Sequence, residues 1–330
     1  MRQKWRLVAL AALLAFGALL RAPALLSSGL GNVGLAALSQ AMATHPHTAS
    51  AEAVAKAERW LKQALAWDGA NRGARLGLGW ALTLQGRDME AAAQWRAAGM
   101  TALDFVAQGD HARRAGSYEE AMEWYQRVGL LEPRLQSTVL YLQCLTHEAS
   151  GNGDLGLMHL QEAISLDRGW LDPETRFLAW RLWGASLYRQ HRQAEAESAL
   201  WKAIAVYPGE EQLQPTLSDA YRFLGLSQRN QGNLKGALES LATSVRLNPE
   251  NPWARIQFGQ TLYWHDAGRA SEVEREFSVA LNLEPGDIRI WESVIRFWRQ
   301  NGETERADSL CLEARGSGIV SGLEEVCPSR

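Results

Sequence analysis

Cysteine is scarce in this chain. Cys144, Cys311 and Cys327 are the only three in 330 residues, and no two form a C-x-x-C pair. That excludes paired-cysteine zinc sites and dithiol redox motifs. Histidine is thinly spread too. His111, His147, His159, His191 and His265 are scattered, with no H-E-x-x-H, and His45 and His47 flank a proline without further ligands. The chain has no G-x-S-x-G, no phosphate-binding P-loop and no paired-carboxylate arrangement. Catalysis has no residues to rest on, so no enzyme activity, cofactor or metal is expected. A basic excess is also missing. The formal net charge is −3, which argues against general nucleic-acid binding.

Long apolar runs are limited to one. Leu7 to Leu20 is uncharged and follows the basic lead of Arg2, Lys4 and Arg6. Fourteen residues are short for a membrane span of about 20, but continuing through Arg21 and Pro23 to Leu26 reaches that length. The first reading is an uncleaved single-pass anchor over residues 1–28. The alternatives are a cleaved secretory signal and a buried or interfacial helix. With the positive residues ahead of the span, the amino terminus stays cytoplasmic and the rest lies outside. The expected location is a bacterial-type cell membrane, or outside the cell after cleavage. Gly29-x-Gly31-x-x-Gly34 matches the letters of a dinucleotide fingerprint, but no strand precedes it. It reads as a flexible exit from the membrane, within a linker over residues 29–48 that holds a short helix from Asn32 to Met42.

What the chain has in abundance is periodicity. Ala220 to Pro249 reads as two helices joined at Gln231-Gly232-Asn233. Tyr221, Leu224, Gly225 and Gln228 share one face of the first, and Ala237, Leu241, Ser244 and Val245 share one face of the second. A mid-helix glycine costs about 1 kcal/mol against alanine, which makes sense where a partner helix comes very close. The pattern recurs: Gly79, Gly109, Cys144, Gly184, Gly225, Gly259 and Ile295 are equivalent, at spacings of 30, 35, 40, 41, 34 and 36. Ala57, Leu61, Ala64 and Asp68 suggest a weaker unit before these.

With its aromatic, Leu-Gly pair, small residue and closing proline, the segment resembles a tetratricopeptide repeat, whose period is about 34 residues. The resemblance covers about residues 30 to 315. It implies an all-α, right-handed α-solenoid of about seven to eight helix-turn-helix repeats at 49–315, preceded by the N-terminal hydrophobic helix and closed by a capping tail at 316–330. Each pair then buries its face only against its neighbours.

In tetratricopeptide families the first helix of each repeat lines a groove that commonly binds peptides. Carried over to this sequence, the resemblance places Trp80, Asp110, Arg113, Arg114, Tyr141, Arg181, Tyr188, Arg189, Arg222, Arg229, Trp253, Tyr263, Trp264, Arg289, Arg296 and Arg299 at or near it. Arginine forks suit carboxylates, and aromatic faces suit peptide side chains or sugar rings. Trp95, Trp124, Trp180, Trp183, Trp201, Trp291 and Trp298 read as packing residues. Cys144 reads as a small core residue, and Cys311 with Cys327 as a candidate disulfide holding the tail. The implied function is a membrane-tethered, non-enzymatic scaffold for a protein or peptide partner. The alternative is an accessory subunit of a glycan-handling envelope system, binding sugar in the same groove.

Overall fold

The computed structural model describes residues 23–41, 50–318 and 322–327. Every regular element among them is helical. The α-helices are α1 (residues 23–41), α2 (Ala51–Trp67), α3 (Arg72–Thr83), α4 (Asp88–Ala97), α5 (Ala102–Arg114), α6 (Tyr118–Leu131), α7 (Gln136–Ala149) and α8 (Gly153–Leu166). They continue with α9 (Pro173–Arg189), α10 (Gln193–Ala205), α11 (Gln214–Asn230), α12 (Leu234–Leu247), α13 (Pro252–His265), α14 (Ala270–Leu283), α15 (Ile288–Gln300) and α16 (Thr304–Gly316). The chain divides into two compact units, one ending at Gly156 and the other beginning at Leu157, so that α8 runs through the boundary.

The predicted anchor over residues 1–28 lies largely outside the described residues. Among the described residues no helix is long and apolar enough to cross a membrane. The glycine string, expected as a flexible exit, is instead helical, and its helix starts well before Asn32. Ser27, Gly31, Gly34, Leu38 and Ala41 are its buried positions, spaced by three and four. They form the contact stripe of a helix rather than a loop. A Cβ on Gly34 would stand 2.7 Å from Leu61 Cγ, so the glycine lets α1 close on α2. Asn71 Nδ2 donates to Ser27 Oγ at 2.8 Å and ties α1 to the start of α3.

In the first unit, α3 packs on α2 and α4, and α6 on α5 and α7. In the second, α9 to α16 pack in chain order, and the first helices of successive pairs (α9, α11, α13 and α15) also touch one another. In six of the pairs the turn places one residue in the left-handed region. It is glycine at Gly86, Gly116, Gly151, Gly232 and Gly302, but His191 (φ 59°) between α9 and α10; the α13–α14 turn is a short 3-10 helix, Ala267–Arg269, instead.

Starts are set by side chains. Ser50, Asn71, Asp172, Asn233 and Asn251 each accept a hydrogen bond from the backbone amide three residues on. Pro173 and Pro215 fall in the first turn of α9 and α11, where a missing amide proton costs nothing. The long α8–α9 connection is organised by Asp167. Its carboxylate accepts from Trp170 Nε1, Trp180 Nε1 and both forks of Arg176, at 2.7–3.0 Å. Burial alone would raise its pKa, but those donors outweigh it and hold the group ionised below its usual range.

At the carboxyl end, Leu323, Val326 and Cys327 are buried in the core of α13 to α16. Cys311 and Cys327 are joined in a disulfide, with Cα atoms 5.6 Å apart. Cys144 is the free thiol, fully buried, and burial pushes its pKa up to about 12.

Candidate functional site

The expected repeat position can be checked at each glycine. A Cβ on Gly184 would lie 2.6 Å from Leu200 Cγ, on Gly225 2.7 Å from Leu241 Cγ, and on Gly259 2.8 Å from Phe277 Cε1. On Gly79 and Gly109 it would run into the rings of Trp95 and Tyr125. At each of these five positions the first helix of a pair gives up a side chain so that one large residue of the second can fill the space. The packing is that of tetratricopeptide-like helix pairs. No protein-family model matches it. Among solved structures, PilF of Pseudomonas aeruginosa is similar at 17% identity and a TM-score of 0.49, covering 69% of this chain and 93% of its own. MamA of Desulfovibrio magneticus is similar at 20% identity and a TM-score of 0.42, covering 57% and 97%. Among characterised proteins, the human protein O-mannosyl-transferase TMTC1 is 26% identical over 186 residues, 56% of this chain. The match spans 20% of that relative's length.

The predicted site residues meet different surroundings in the two units. In the first unit, Trp80 is drawn into an aromatic cluster. Its ring lies 5.2 Å from both Trp95 and Trp124, with Phe105 at 6.5 Å. The Arg127 guanidinium sits between Trp80 and Trp124, 5.1 and 5.0 Å from their centroids. Arg127 was not singled out by sequence reasoning. Tyr141 is buried, and Arg114 is exposed. Arg113 pairs with Asp110 at 3.2 Å, while Tyr125 Oη donates to the same carboxylate at 2.8 Å.

The second unit does bring residues together, on the adjoining first helices α9, α11 and α13. Tyr188 packs tilted against Phe223 at 5.6 Å, Arg222 lies over Phe223 at 4.3 Å, and Arg229 lies over Trp264 at 5.0 Å. Arg222 is held by Asp219 at 3.0 Å and reaches Gln257 at 3.5 Å; Arg229 reaches Thr261 Oγ1 at 3.5 Å. Phe223, Gln257 and Thr261 were missed from sequence, although each lies one turn or less from a residue that was chosen.

Two cations stand out by what surrounds them. Burial lowers the Arg229 pKa, only partly offset by the Tyr188 phenol, and among the described residues no carboxylate pairs with it. Arg181, seven residues before Tyr188 on the same side of α9, has a buried Nε without a hydrogen-bond partner. A partly desolvated guanidinium with no carboxylate partner is costly, and such groups concentrate where a ligand completes them. Trp264, under Arg229, is 45% exposed.

The remaining predicted residues have other engagements. Tyr263 packs edge-on against Phe297 and Trp298, with its hydroxyl on Glu303 at 3.1 Å. Trp253 is half-buried against the same core. Arg189 donates to Ser186 Oγ at 3.3 Å, and Arg289 pairs with Asp287 at 2.7 Å. Arg296 pairs with Glu292 and lies 3.5 Å from Glu325. Arg299 bonds the Val326 carbonyl and Asp308, so it holds the C-terminal segment. Of the tryptophans expected to pack, Trp201 on α10 is the departure, at 47% exposure.

Proposed function

We propose that the chain is a non-enzymatic, membrane-tethered scaffold, and that the first-helix face of its second unit captures an acidic segment of a partner protein. The observation that carries this reading is the pair of partly buried guanidiniums, Arg181 and Arg229, that lack carboxylate partners among the described residues. An incoming carboxylate would form charge-assisted bonds with groups already partly shielded from water, beside the Tyr188, Phe223 and Trp264 rings. Arg222 is already satisfied by Asp219 and serves to orient the surface. The tether is proposed from the sequence of residues 1–28. The Cys311–Cys327 disulfide supports an oxidising compartment for the repeats.

The test is a pull-down from gently solubilised membranes with three full-length baits: the native chain, Arg181→Ala/Arg229→Ala, and Arg289→Ala as a control on an exposed, already paired arginine. A partner retained by the native chain and the control, and lost from the double variant, supports the proposal. Equal capture by all three removes it. A second reading, a sugar ligand on the same face, is favoured by the exposed indole of Trp264 against Arg229. A saccharide that displaces the partner, or binds where no partner is found, would select it.

A further inference from the structure

Between α14 and α16, with α15 beneath, lies a cavity of about 600 Å³. It arises because the facing sides of the two helices stand apart while Trp291 and Trp298 of α15 form the floor. Both indoles are nearly fully buried, so the floor is rigid. Around it stand four carboxylates, Glu274, Glu303, Glu305 and Glu313, and one cation, Arg306. The Arg306 guanidinium lies 5.2 Å from the Trp298 ring and pairs with Glu274 and Glu303. Glu305 and Glu313 take part in no ion pair among the described residues.

The slot therefore already holds a guanidinium over an indole between carboxylates, and it has two carboxylates to spare. We propose that it binds a basic segment of a partner protein, with an arginine or lysine side chain taking the place of Arg306 over Trp298. Charge complementarity selects the occupant: an acidic segment would meet four carboxylates. Arg306 is the internal competitor. It is long and rotatable, and on displacement it can swing outward with its charge kept in water. The site is built mainly on second helices and does not depend on the first-helix face discussed above.

The experiment is fluorescence anisotropy with the full chain and a labelled peptide of alternating arginine and leucine, with a glutamate-for-arginine peptide as control. The native chain should bind the arginine peptide and not the glutamate peptide. Glu305→Gln/Glu313→Gln should weaken binding about tenfold, whereas Glu239→Gln/Glu250→Gln, with the same change of charge on exposed positions elsewhere, should leave it unchanged. Arg306→Ala should strengthen binding, a gain that a merely structural arginine would not give; thermal melting of each variant verifies that it is folded. Absence of binding to the native chain, equal weakening by both glutamine pairs, or a folded Arg306→Ala variant that binds no better would each overturn the proposal.

Discussion

Replacing Gly109 by alanine tests the packing logic of the repeats at one of its tightest points. The new Cβ would stand 2.7 Å from Tyr125 Cδ1 and 2.9 Å from Cζ, where carbon atoms prefer about 3.5–4.0 Å. The ring cannot step aside easily. It is fully buried, and its hydroxyl is fixed on Asp110. Overpacking of this kind costs about 1–3 kcal/mol, and loosening the hydroxyl bond adds about 1 kcal/mol. Alanine returns about 1 kcal/mol through helix propensity. The net expectation is a loss of about 2 kcal/mol. In a Tyr125→Ala background the obstacle is gone, so the same substitution should become stabilising by about 1 kcal/mol. Urea unfolding of the four proteins, followed by far-UV circular dichroism, closes the double-mutant cycle. Equal destabilisation by Gly109→Ala in both backgrounds would refute the reasoning.

Other consequences follow from single residues. His191→Gly should raise the urea midpoint by about 1 kcal/mol of stability, because an L-residue pays about that much in the left-handed region; no gain would mean that His191 makes a compensating contact. Cys311→Ser should cost about 3 kcal/mol for a cross-link over 16 residues and speed amide exchange at Leu323 and Val326; unchanged exchange would show that the apolar contacts alone hold the segment. Glu58 contributes to acid sensitivity. Burial alone would raise its pKa, but hydrogen bonds from Lys62, Gln85 and Arg87 outweigh that and lower it to about 2. A depressed folded-state pKa gives stability that is present above the unfolded value and is lost as pH falls from about 4.5 towards about 2. Glu58→Gln should therefore flatten the acid limb of the stability profile, and an unaltered limb would contradict this.

The repeat was legible because its cause is local and repeated. On five of the first helices, one glycine and one large residue about sixteen positions later are forced by close approach, so Gly79, Gly109, Gly184, Gly225 and Gly259 could be aligned from sequence. The α1 helix was legible only in part: a short helix was expected from Asn32, but Gly29, Gly31 and Gly34 read locally as flexibility, and only Leu61 and Asn71, far along the chain, turn Gly31 and Gly34 into part of a contact stripe. Asp167 was invisible for a related reason. Nothing in its neighbourhood announces that two indoles and a guanidinium converge on one carboxylate. The candidate site was partly legible. Spacing places Arg222, Arg229 and Trp264 on first helices, but whether an arginine is already paired depends on Asp219, Asp287 or the C-terminal segment. That distinction, which separates Arg229 from Arg289 and Arg299, appears only in three dimensions.

The central claim is that the first-helix face of the second unit holds a partner. The most direct measurement places a photo-crosslinking amino acid at Gln257, between Arg222 and Trp264, and separately at Glu239 on the exposed side of α12, in the full chain within its native cells. The account predicts one discrete adduct from position 257 that disappears with Arg181→Ala/Arg229→Ala, and none from position 239. An adduct that survives the double substitution, or that forms only from position 239, would contradict it.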